Sequence, residues 1–139
     1  MITQIEKLCD HRVFYHFRQI CQIPHGSGNE KALSDYILQW AQGLGLEAEQ
    51  DEADNVLVRK PATPGLEDVP GVMLQAHIDM VCEKGEGVAH DFEKDPIDWI
   101  IDGDMLSTGG KTTLGADDGI GMALIMAVLE DNSLSHPAL

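Results

Sequence analysis

Basic residues are scarce in this chain. Nine lysines and arginines stand against 24 aspartates and glutamates over 139 residues, a formal net charge of −15. Such a surface repels nucleic acid and anionic lipid, so neither is expected as a partner. Long apolar runs are also lacking. No stretch approaches the roughly 20 residues of a membrane span, and no membrane association is expected. The opening "MITQIEKLCD" has neither a basic n-region nor an apolar h-region, and the cytoplasm is the expected location. Cysteine is sparse and odd in number. Cys9, Cys21 and Cys82 have no C-x-x-C spacing, which argues against a disulfide framework and a cysteine zinc cluster and favours free, buried thiols. Internal repeats and low-complexity tracts are missing too.

What is there reads as an ordinary globular composition, 43% hydrophobic and 24% charged. Phe14, Phe17, Ile20 and Cys21 share one helical face, and Pro24 ends that helix. Ser27 to Glu30 fits a capping box. Leu33, Tyr36, Ile37, Trp40, Ala41 and Leu44 then form the apolar stripe of a second helix, expected to lie on a sheet, with Gly45 as its stop. Strands are expected at 46–50 and 56–59 around an Asp54-Asn55 turn. The prolines at 61, 64 and 70 mark a surface loop. A buried strand is expected over Gly71–Ala76, running into His77. Ile97, Trp99 and Ile101 alternate, and Asp102-Gly103 signals a hairpin into Met105–Ser107. An apolar helix follows from Ile120. The order predicts a mixed-sheet α/β sandwich flanked by helices. It also suggests the front part of a larger catalytic domain.

Two places attract chemistry. His77 and Asp79, in "LQAHIDM", are two residues apart, so in an extended chain both side chains leave by the same face. The carboxyl end of a strand is where open α/β sheets place ligand crevices. An imidazole bound to a metal, with its tautomer set by the carboxylate, fits this spacing. So does a buried histidine satisfied by its neighbour. Asp117 and Asp118, in "TTLGADDGIGMA", open a helix, where the dipole favours carboxylates. They read either as caps or as a ligand bridging two cations. Taken together, imidazole and carboxylate suit zinc, manganese or cobalt. A carboxylate shared by two metals about 3.5–4 Å apart serves amide hydrolysis.

"GGKTT" imitates the tail of a phosphate-binding loop, but the pattern needs a glycine where Met105 stands, and Leu114-Gly115 interrupts the helix that should follow. His90 and Asp91 sit in a polar loop as surface residues. His11, His16, His25 and His136 lack a carboxylate at ligand spacing and are expected to be solvated or on helix surfaces.

The stretches "VMLQAHIDMV", "HDF", "DPI", "IDGDMLS" and "TTLGADDGIGMA", in this order, resemble the bacterial aminoacyl-histidine dipeptidases of the co-catalytic zinc peptidases. "CQIPHGSGNEKALSDYILQWA" and "DNVLVRKPAT" extend the likeness to nearly the whole chain. The resemblance implies that residues 1–139 are the N-terminal part of a metallopeptidase catalytic domain. It implies His77 and Asp117 as metal ligands, Asp117 bridging two Zn2+ ions (Co2+ or Mn2+ as substitutes) and followed by a cis peptide. Asp79 is the candidate catalytic residue that orients His77. The role of Asp118 stays open between cap and outer support. The activity implied is hydrolysis of dipeptides, including Xaa-His, by a hydroxide bridging the two metals. The general-base glutamate, the remaining ligands and the lid domain that dimerises some members would lie outside this chain, so the 139 residues alone are expected to be inactive. Cys82 departs from the family pattern, which often has proline there. A related amide hydrolase (deacylase or tripeptidase) and a non-catalytic metal-binding module are the alternatives.

Overall fold

A computed structural model describes residues 3–139. Helices α1 (Gln4–Leu8), α2 (Arg12–Cys21) and α3 (Lys31–Gly43) come first. Strands β1 (Glu47–Gln50) and β2 (Val56–Arg59) follow, then β3 (Ile100–Asp102) and β4 (Met105–Ser107), and last α4 (Ala116–Glu130). The mixed α/β class expected from the sequence is what forms. Among the described residues no helix is long and apolar enough to cross a membrane.

The opening region is two helices rather than one. α1 starts with a reciprocal cap: Glu6 N–H donates to Thr3 Oγ1 at 3.1 Å and Thr3 N–H to Glu6 Oε2 at 2.6 Å. α2 carries the apolar face read from the sequence and buries His16, Phe17, Ile20 and Cys21 against α4. The helices approach closely at Gly119, where a Cβ would sit 2.8 Å from Phe17 Cε2. Phe17 also meets Trp99 with ring centroids 5.2 Å apart. Ile97 and Trp99 are thus core residues, although they precede β3 rather than belong to it.

α3 lies across the β1–β2 hairpin, as its stripe predicted, with Leu33, Ile37 and Ala41 buried. The strands pair antiparallel from Glu47 opposite Arg59 to Gln50 opposite Val56. Asp54 turns the chain at φ 62°. The capping box at Ser27 does not form. The cap position is Glu30, without a side-chain hydrogen bond to the helix, and its carboxylate instead accepts from Gly28 N–H at 2.7 Å. The second hairpin, β3–β4, turns through Gly103 as expected.

The expected buried strand Gly71–Ala76 is the main correction. Its backbone is straight chain without a ladder, and Val72, Met73 and Leu74 are exposed at 46%, 85% and 42%. Apolar sequence predicts a strand only where neighbours supply backbone partners and a cover. Here a groove of about 470 Å³ opens between β2 and this segment, floored by Ile37, Ile125 and Leu129. Only its far end is closed. Lys60 and Leu139 exchange backbone hydrogen bonds at 2.8 and 2.9 Å, and Val72 N–H donates to Ala138 O at 2.9 Å. Lys60 also caps α4, its ammonium donating to Asp131 O at 2.8 Å.

Three histidines expected at the surface are buried. His16, His25 and His136 are 0%, 2% and 7% exposed, the first packed between Tyr15 and Trp40. Of the free cysteines only Cys21 is fully buried, and Cys82 is exposed. A short side chain among polar loops finds too little cover to leave solvent.

Candidate metal centre

His77 lies at the end of the Gly71–Ala76 segment, on the wall of an open crevice of about 670 Å³ rimmed by Glu30, Asp51 and Asp54. The segment is anchored just beyond it. Met80 N–H donates to His25 O at 3.0 Å and Ser27 N–H to Met80 O at 3.2 Å, a short parallel bridge. From the other side the loop before α4 closes in. Gly115, in the left-handed region at φ 72°, leaves room for Met80, whose sulfur would be 3.1 Å from a Cβ there. Thr113 holds the same loop by donating to Val81 O at 2.6 Å. These contacts carry Asp117 to His77 across forty residues of sequence.

The imidazole sits between two carboxylates. His77 Nδ1 is 3.0 Å from Asp79 Oδ1 and 3.1 Å from Asp79 O, and Nε2 is 3.0 Å from Asp117 Oδ1. Asp79 is held in turn by the Ser27 hydroxyl, which donates to its Oδ2 at 2.5 Å. The Asp117 carboxylate raises the imidazole pKa above its ordinary value, with Asp79 adding to it. Ser27 is the main cause of the lowered Asp79 pKa, and His77 adds to that. Both ring nitrogens face carboxylate acceptors, which favours the imidazolium; a cation taking the Nε2 lone pair would leave the remaining proton on Nδ1, held by Asp79.

Asp117 is an open donor, its side chain 98% exposed. The Asp117–Asp118 peptide is cis, and neither residue has helical backbone angles. Asp118 turns away from the crevice and accepts from Gly121 N–H at 3.1 Å. That contact makes Asp118 the cap of α4 proper. His90 and Asp91 are elsewhere. Asp91 ties its own loop through Lys94 and Glu93, and His90 meets Phe92 edge to face. His25 is buried behind the site with Nδ1 donating to Ile23 O at 2.6 Å. Ser27 is the contributor the sequence reading missed. The capping-box pattern gave its hydroxyl another role, and nothing local links it to Asp79, 52 residues on.

An imidazole nitrogen and a carboxylate oxygen facing one point are donors that zinc accepts. The fit is partial: among the described residues no three or more histidine, cysteine or acidic side chains converge to hold an ion. The chain brings together one imidazole, one carboxylate facing it, and a second carboxylate that supports the ring.

No protein-family model matches the chain. It is 46% identical over 138 residues to the cytosol non-specific dipeptidase of Escherichia coli (strain K12), covering 99% of this chain and 28% of that protein. The crystal structure of aminoacylhistidine dipeptidase from Vibrio alginolyticus superposes with a TM-score of 0.90 at 46% identity, over 98% of this chain and 28% of that one. A tripeptidase from Staphylococcus aureus shares the fold at a TM-score of 0.72 and 24% identity, over 93% of this chain and 34% of that one. The chain thus spans 28% to 34% of the length of these relatives.

Proposed function

We propose that this chain is the N-terminal part of the catalytic domain of a metal-dependent, cytoplasmic dipeptidase whose substrates include Xaa-His dipeptides. The observation that carries the reading is the 3.0 Å approach of His77 Nε2 to Asp117 Oδ1, with Asp79 on the opposite ring nitrogen. The 46% identity to two dipeptidases supports the reaction class. Bound at this point, a pair of zinc ions would supply an ionised water near neutral pH and polarise the scissile carbonyl. His77 and Asp117 would be the residues of this chain that hold them. Asp79 acts on the ring rather than on substrate. It holds the Nδ1 proton, fixes the plane of the imidazole and raises the basicity of Nε2. Cobalt or manganese suits the same donors.

Two features support an incomplete domain. Two ligands do not close a metal site. The slot beside β2 also has the shape of a strand position. Its rims, Val58 on one side and Leu74 and Ala76 on the other, make no backbone bonds across it among the described residues. Leu139 enters the slot antiparallel to β2. A strand continuing in that register would emerge beside His77, where further ligands are needed. The general base, the lid domain and any homodimer contact through it belong to that remainder.

The test is turnover of a dipeptide panel, Xaa-His included, by the full-length protein. We expect activity that chelation abolishes and zinc restores. His77→Ala and Asp117→Asn should each lower kcat/KM by more than about 100-fold, beyond the usual effect of outer support. Full turnover after exhaustive chelation, or by His77→Ala, would refute the reading. Preference for acylated amino acids over dipeptides would favour the deacylase alternative.

A further inference from the structure

We infer that Ser27 is a positioning residue of this site: its hydroxyl locks the Asp79 carboxylate so that His77 presents Nε2 toward Asp117. The inference rests on the metal reading above for its consequence, but the lock itself is read from contacts. Asp79 uses both oxygens. Oδ1 meets His77 Nδ1 at 3.0 Å and Oδ2 accepts from Ser27 Oγ at 2.5 Å. Torsion of a carboxylate about its last bond is broad and nearly two-fold, so a partly exposed aspartate does not hold one plane by itself. Asp79 is 37% exposed at its side chain, and among the described residues only Ser27 engages its second oxygen.

The backbone is built to deliver that hydroxyl. Ser27 N–H donates to Met80 O, placing the serine directly alongside Asp79. Gly26 lets the two segments approach: a Cβ there would stand 2.5 Å from Cys82 Sγ. Gly28 follows at φ 86°, and the chain leaves toward α3 without using the serine as a cap. The Ser27 side chain therefore has no part in starting the helix that its sequence pattern announces. Its other contact, Met80 O at 3.5 Å, duplicates what its own backbone N–H already makes. Removing Oγ leaves the bridge to Met80 intact and frees Asp79 alone.

The experiment compares Ser27→Ala, Ser27→Thr and Asp79→Asn in the full-length protein. Zinc affinity is read by chelator competition, and the His77 tautomer by nitrogen-15 NMR of the metal-free protein. Ser27→Ala should weaken zinc binding about 10- to 100-fold, the size expected for loss of outer support. At pH 9, with the ring neutral, it should also lower the share of the Nδ1–H tautomer, with the melting temperature of the metal-free protein unchanged. Ser27→Thr, which keeps the hydroxyl, should restore both. Unchanged affinity and tautomer in Ser27→Ala, with both altered in Asp79→Asn, would overturn the role of Ser27 and leave the metal reading standing. A wild-type protein that binds no zinc but shows the Ser27-dependent tautomer would refute the metal reading and keep the lock. A Ser27→Ala protein that melts earlier and is not rescued by threonine would show a structural serine and refute the proposal.

Discussion

The two faces of α4 differ sharply. The face toward α2 is closed: Phe17, Ile20 and Ala123 are at most 1% exposed, and side chains from both helices fill the space between them. The face toward β2 and the Gly71–Ala76 segment is equally apolar but open, and Val72 and Leu74 stay more than 40% exposed. Hydrophobicity alone therefore does not close a core. Helices satisfy their own backbone and can pack as soon as they meet. Extended segments need a neighbour for every second N–H and C=O before they can be buried.

Deleting volume on each face should give unequal costs. Phe17→Ala removes a ring that touches Gly119 and Trp99 in a sealed environment, and should cost about 3–5 kcal/mol. Leu74→Ala in the same 139-residue chain should cost well under half of that, because the side chain is already 42% in water. Urea unfolding measures both. Equal costs would mean that the slot is closed in solution. In the full-length protein the Leu74 cost should rise toward that of a buried leucine, about 2–5 kcal/mol.

Hydrogen exchange sharpens the same contrast without mutation. Val72 N–H, bonded to Ala138, should exchange more slowly than Leu74 and Ala76 N–H, which face the open slot. In the full-length protein all three, with Val58, should become protected by more than about 100-fold, as amides in a central strand are. Rapid exchange there would show that no strand fills the slot.

This contrast also marks what the sequence could reveal. Helical faces were legible, because burial at i, i+3 and i+4 depends on the helix itself. Both hairpins were legible from Asp54-Asn55 and Asp102-Gly103, since a tight turn brings its own partner strand. His77 and Asp79 were legible as a pair because an extended chain turns i and i+2 to one face. The Asp117 approach was foreseen only by coupling two motifs. The Ser27 contact was hidden, because a Ser-x-x-Glu pattern has a commoner local meaning that the tertiary contact with Asp79 overrode. Buried His16 looked polar on the helix face; Trp40, which covers it, comes from α3, a position no local pattern joins to it.

Acid should weaken the closed face. Burial holds the His16 pKa below 6.5, so the folded chain keeps the ring neutral while the unfolded chain protonates. Stability then falls as pH drops through 6.5. The Arg12 guanidinium, donating to Glu130 at 2.5 and 2.9 Å, holds that carboxyl below its ordinary 4.5. The stability Glu130 gives is present above 4.5 and is lost as pH falls through its lower folded value. Urea midpoints should therefore decline from pH 7.5 to 5.5, and again below 4.5. His16→Phe should lessen the first decline, leaving the part due to His25, whose pKa burial also lowers, and Glu130→Gln should lessen the second.

The open face should respond in the opposite sense, and weakly. His77 has a raised pKa because the Asp117 and Asp79 carboxylates favour its imidazolium. In the metal-free protein that pairing stabilises the fold below pH 6.5 and is lost as pH rises through the raised folded value. The ring is half exposed and the Asp117 side chain almost wholly so, which leaves solvent to screen most of the attraction. Asp117→Asn should therefore make the metal-free protein only slightly less stable at pH 6, with no change at pH 9. The same substitution in a zinc-loaded full-length protein should lower the melting temperature at both pH values, because a ligand is lost rather than an exposed ion pair. A large effect at pH 6 in the metal-free protein would mean that the crevice around His77 is far drier than the slot beside it.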